Sequence, residues 1–178
     1  MKEKSSYRRF LMTAVLAVLL GLLYYVIFGF SAQDAEESGS LSRNVSEKCV
    51  EIFNSFAGGR WGHDEMDRMA EAIEHPLRKL AHFTEYAYMG ILIYGLLCQW
   101  MGRGKRRCLL TVGWVFLSAA GDEFHQYFVP GRYASFLDVL LDTGGGVCGM
   151  LFCILAAMVC RRWAGKGKHK QNQDSITA

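Results

Sequence analysis

GDEFHQYFVPGRYASFLDVLLDTGGGVCG, residues 121–149, joins the end of one apolar run to the start of the next. It places Asp122, Glu123, His125, Gln126, Arg132, Asp138 and Asp142 among segments of lipid-soluble composition. In a bilayer an ionisable side chain costs roughly 2.5–3.5 kcal/mol or more unless it faces protein or water, so such a cluster marks either a function or a set of internal pairs.

Four segments around this stretch are long and apolar enough to cross a hydrocarbon core of about 30 Å: 10–30, 80–101, 108–129 and 139–160. The expected fold is therefore all-α: a single domain over 1–178, an integral membrane bundle of four transmembrane helices. Short amphipathic helices are expected in the first extracytoplasmic loop, 31–75. The piece before the first span, the loop between the second and third, and the tail 161–178 hold 13 basic residues against 2 acidic ones, a balance of +11. The remainder holds 7 against 15, a balance of −8. By the positive-inside rule this predicts a cell-membrane protein with cytoplasmic N- and C-termini. The pI near 8.5 is then a topology signal and points away from nucleic acid.

The first apolar run is longer than the roughly 7–15 residues of a cleaved signal core, so it reads as a retained anchor. Of the six cysteines only Cys49 falls outside the spans and the cytoplasmic side, which argues against a disulfide framework. They read as residues that pack inside the membrane domain.

After the first span, Leu41, Val45, Cys49, Ile52, Phe53 and Phe56 recur at helical spacing, and Gly58 and Gly59 end that helix. Asp64 is expected to start a second, short helix, and Pro76 to open the second span, where a missing N–H is harmless. Arg78, His82 and Glu85 then share one helix face, with Lys79 beside them. Counting 1.5 Å per residue from the boundaries at Leu80 and Val129 puts Glu85 and Asp122 at similar depth, roughly 8–10 Å inside. Asp122 and Gln126 are i,i+4 neighbours, and Glu123 is an i,i+3 neighbour of Gln126. Val129 to Arg132 makes a tight turn. Asp138 opens the last span and favours its N-terminus, Asp142 lies a turn deeper, and Gly145 and Gly149 form a GxxxG spacing that admits a neighbouring helix.

The segments FSAQ (Phe30 to Gln33), RKLAHFTEY (Arg78 to Tyr86) and DEFHQYFVPGR (Asp122 to Arg132), with the spacing Asp138, 142, Gly145, Gly149, resemble the VanZ family. These are membrane proteins named for a component of a glycopeptide-resistance operon that raises tolerance to teicoplanin. The resemblance implies four membrane helices and a link to teicoplanin-type resistance, and it carries no established chemical mechanism. At position 142 the family pattern usually has Asn where this chain has Asp142.

Two functional classes follow. A binding protein would recognise a cell-envelope lipid, an envelope lipid precursor or a lipoglycopeptide, with Arg78, Gln126, Arg132, Asp138 and Asp142 as binding residues; the arginines suit bidentate contact with phosphate or carboxylate. An enzyme acting on a lipid-linked substrate would use His82, Glu85, Asp122 and Glu123 for acid–base work. No nucleophile motif or P-loop accompanies them. A metal reading would need His82 and Glu85 to face Asp122 and His125. Neither spacing is specific, and no metal or cofactor is assigned. The plain structural alternative is an ion-pair network that sets helix register.

Overall fold

The chain opens with a long helix, α1 (Lys2–Ser31), and a three-residue link leads into α2 (Ala35–Phe56). There follow α3 (His63–Trp100), α4 (Lys105–Gln126) and α5 (Phe136–Asp174). This is a computed structural model describing residues 2–174, and no strand occurs among the described residues. Of the expected basic tail, 161–174 continues α5 and 175–178 lies outside the described residues.

Two stretches, Ser6–Ser31 in α1 and Phe136–Trp163 in α5, are long and apolar enough to cross a membrane by length and composition. The other two expected spans fall mostly within α3 and α4, but α3 ends at Trp100 and α4 at Gln126, short of the expected 101 and 129. Tyr86, Tyr94 and Gln99 dilute the apolar character of one, and Asp122, Glu123 and Gln126 that of the other. The outer surface has membrane-helical character: Val18 and Leu22 on α1, Leu109 and Leu117 on α4, and Phe152 and Leu155 on α5 all point outward. An apolar surface this extensive is rare on a protein surrounded by water.

Helices α3 and α5 pack most extensively, with α4 against both, α1 against α3, and α2 along α3. Small residues permit the closest approach. A Cβ on Gly145 would collide with the Phe83 carbonyl, and one on Gly149 with the Ala87 carbonyl, so the GxxxG face of α5 rests on the backbone of α3. Gly90 on α3 meets Gly146 in the same way, and Gly146 also abuts Val115 on α4. Tyr86, Met89, Ile93, Val115, Ala119 and Val139 fill the core around this seam, with Leu20 and Ile27 from α1.

The region before the second expected span differs from the sequence reading. Pro76 does not open a helix; it lies inside α3, which runs unbroken from His63. Proline removes one backbone hydrogen bond and crowds the preceding turn. Across that turn, however, Arg78 Nη2 donates to Glu74 Oε1 (2.9 Å) and to Ser42 Oγ (2.8 Å), and Ser42 Oγ donates to Glu74 Oε1 (2.9 Å). This triangle holds both sides of the proline against α2. At 38 residues, α3 is about 57 Å long, well beyond a 30 Å core.

The amphipathic helix also starts earlier than Leu41. Asp34 caps it, accepting a hydrogen bond from the Glu37 N–H (2.8 Å). Gly58 and Gly59 do end it, both at positive φ (85° and 68°). Its buried residues are Ser46 and Val50, whereas Ile52, Phe53 and Phe56 are exposed, so most of the apolar stripe stays uncovered. Asn54 pins the link to α3 through Trp61, whose N–H donates to Asn54 Oδ1 (3.1 Å) and whose carbonyl accepts from Nδ2 (3.2 Å).

Two further expectations need correction. None of the six cysteines is buried; Cys49, Cys98, Cys148 and Cys160 are exposed and Cys108 and Cys153 half-buried, because they sit on outward faces where a thiol tolerates an apolar surround. Arg107, counted as a loop charge, is only 6% exposed. It donates to Tyr94 Oη (3.0 Å), Cys98 Sγ (3.1 Å) and the Met101 carbonyl (3.4 Å), and its guanidinium lies over the Tyr94 ring at 4.6 Å. The arginine therefore ties the α3–α4 turn together.

Candidate functional site

Helix α3 presents Arg78, Lys79, His82 and Glu85 towards the space between α2 and the α4–α5 connection. That connection folds sharply because α4 ends at Gln126 and the Arg132 N–H closes a turn on the Val129 carbonyl (3.2 Å). Gly131 supplies the positive φ of 73° that the turn needs. It lies so close to Ala35 that a Cβ there would crowd the alanine side chain, and the Ala35 N–H reaches the Pro130 carbonyl (3.3 Å). The turn is thus clamped to the start of α2.

Two adjoining cavities result. One, of about 150 Å³, is mainly apolar, lined by Phe30, Leu41, Val45, Leu77 and Ala81. The other, of about 250 Å³, is the more polar of the two, lined by His75, Lys79, Glu123, Gln126, Asp138 and Asp142. Arg78, His82 and Arg132 line both and form the shared wall. Glu85 belongs to the apolar cavity only.

The carboxylates are not equivalent. Asp122, 1% exposed, lines neither cavity; its Oδ2 accepts from Gln126 Nε2 (3.2 Å), which also donates to Ser31 Oγ (3.2 Å). Glu123 does not pair with Gln126. Its Oε2 accepts the Ser135 N–H (2.7 Å) and anchors the loop into α5, because the loop's backbone donor approaches more closely than the amide a turn away. Asp138 binds Lys79 Nζ at 2.5 Å, while the α5 N-terminus is capped by Ser135, whose Oγ accepts from the Asp138 N–H (3.4 Å). Asp142 is 2% exposed, and its Oδ1 has no hydrogen-bond partner.

His82 Nδ1 and Glu85 Oε2 are 3.7 Å apart, an electrostatic contact too long for a hydrogen bond. His125 packs its ring edge-on against Phe28 at 5.9 Å and reaches neither cavity. Among the described residues no three His, Cys, Asp or Glu side chains gather as a metal-ligand set.

Arg132 donates through Nη2 to the Phe30 carbonyl at the end of α1 (3.2 Å). Burial, and then the positive charge of Arg78, hold its guanidinium below the ordinary arginine value. The negative charges of Asp122, Glu123 and Asp34 partly offset that effect, although among the described residues Arg132 makes no carboxylate contact within ion-pair distance. Ser31, Ser42, Glu74 and Ser135 complete the site and were not singled out from sequence. Ser31 lies within the FSAQ segment, but nothing local to Ser42 or Ser135 reveals partners 36 and 12 residues away.

Fold and site define an all-helical bundle with a lipid-compatible outer surface and a polar, arginine-walled site between its helices. A family model described as VanZ/LLP1 matches residues 16–157, and the chain belongs to that family. Comparison with curated proteins and with solved structures finds no match.

Proposed function

We propose that this is a four-span membrane protein, with both termini cytoplasmic, that binds the phosphate- or carboxylate-bearing headgroup of a cell-envelope lipid or lipoglycopeptide at the outer leaflet. Through that binding it contributes to teicoplanin-type resistance. One observation carries the reading: an apolar cavity and a polar cavity share a wall made by Arg78, His82 and Arg132. An amphiphile needs this juxtaposition, with acyl methylenes on one side and a charged group on the other. At about 250 Å³ the polar cavity is smaller than the roughly 300–1,000 Å³ of ordinary small-molecule sites, so it suits a headgroup and leaves the rest of the ligand outside. The orientation follows from the basic balance of the cytoplasmic pieces.

The test expresses the protein in a susceptible Gram-positive host and compares teicoplanin with vancomycin sensitivity for wild type and Arg132→Ala, with Glu85→Ala and Asp122→Ala alongside. Teicoplanin protection should require Arg132. Full protection by a well-expressed Arg132→Ala protein would sink the reading. A second reading, acid–base catalysis on the bound lipid, is favoured by the position of His82 in the shared wall beside Glu85; it requires a chemically altered lipid or drug to be detected by chromatography.

A further inference from the structure

We infer that the polar cavity is built for a zwitterionic lipid headgroup, with Arg132 and Arg78 on its phosphate and Asp142 receiving a primary ammonium. This rests on the headgroup reading above and adds which headgroup it is.

Asp142 is the observation that points to a cation. It is 2% exposed, it lines the polar cavity, and its Oδ1 lacks a partner. A buried carboxylate in that position is expensive unless a positive charge accompanies it. Two of the chain's cations at this cavity are paired, Lys79 with Asp138 and Arg78 with Glu74, while Arg132 pairs with no carboxylate of the described residues and donates to the Phe30 carbonyl. Among the described residues no Lys, Arg or His lies within ion-pair distance of Asp142. The missing positive charge is then the ligand's.

The same cavity has donors to spare. A guanidinium carries five N–H groups, of which Arg132 uses one in a hydrogen bond, and the Nε of Arg78 is buried without a partner. A headgroup bearing only a phosphate would satisfy these donors yet leave Asp142 bare and add a negative charge to a cavity already lined by Glu123, Asp138 and Asp142. One bearing both signs satisfies each. An ammonium needs only a single carboxylate and has two further N–H donors for neighbours, whereas a divalent metal needs several oxygen ligands. The shared wall with the apolar cavity makes the carrier a lipid.

The test uses the full-length protein, purified and delipidated in detergent. It is offered phosphatidylethanolamine, or N-acetyl-phosphatidylethanolamine, which keeps phosphate and acyl chains but has no ammonium. Bound lipid is counted by native mass spectrometry. Wild type should hold the amine lipid about tenfold more tightly. The near-isosteric Asp142→Asn should bring that ratio close to one, and Arg132→Ala should weaken both lipids. Equal retention of the two lipids by wild type overturns the ammonium assignment; if Arg132→Ala still weakens both, the headgroup reading stands without it. Binding indifferent to Arg132→Ala removes both.

Discussion

Arg78 and Glu74 form an ion pair at 2.9 Å across the helical turn that contains Pro76. Pro76 would ordinarily be the weak point of α3. Here the pair, together with Ser42, secures the helix on both sides of the proline and seats α2 beside the arginine that walls both cavities.

Removing the pair should therefore loosen α2 before it harms the bundle. Glu74→Ala is expected to cost about 1 kcal/mol, the net worth of a partly exposed hydrogen-bonded contact. Amide hydrogen exchange should quicken across 35–56 while the part of α5 packed on α3 stays protected.

Pro76→Ala should have the opposite sign. Restoring the missing backbone bond removes part of the roughly 3 kcal/mol that an internal proline costs, so the melting temperature in detergent should rise. A fall would mean that the ring of Pro76 contributes packing that outweighs the lost backbone hydrogen bond.

Gly149→Leu should fail to fold or lose more than about 3 kcal/mol, because a side chain there collides with the Ala87 carbonyl and forces α3 and α5 apart. Gly21→Ala is the contrast. A Cβ there meets nothing within 4 Å, and the helix propensity of alanine should leave stability equal or higher by up to about 1 kcal/mol. Thermal unfolding of the two variants side by side checks the pair.

Arg107→Ala should cost about 2–4 kcal/mol, since it strips the Tyr94 hydroxyl and Met101 carbonyl of a charged donor and removes the cation over the Tyr94 ring. Lysine should recover little of it, for a single ammonium cannot span those partners. The same unfolding measurement reads both.

Glu123→Ala should free the loop between α4 and α5 without unfolding the helices. The Ser135 N–H loses its carboxylate acceptor, the turn that carries Arg132 gains freedom, and headgroup binding should fall several-fold. Limited proteolysis within 127–135 would report the loosening directly.

The all-helical character, the Val129–Arg132 turn and the close-packing glycines of α5 were determined by the sequence alone. Each is a local property: apolar run length, the 3.6-residue period, and the backbone freedom of glycine or proline over a few neighbouring residues. Tertiary structure decided what those signals do not contain. It made Pro76 the interior of one helix by bringing Ser42 to it from α2. It buried Arg107 against Tyr94, and it seated Glu123 on a backbone N–H twelve residues away. It also placed two aspartates differently, although each keeps a buried Oδ1 without a partner. Asp122 meets the Gln126 amide, which also reaches back to Ser31 on α1, while Asp142 is left facing a cavity without a partner. The cost of a buried charge depends on which groups from other helices lie within hydrogen-bond reach, and only the folded chain sets those distances.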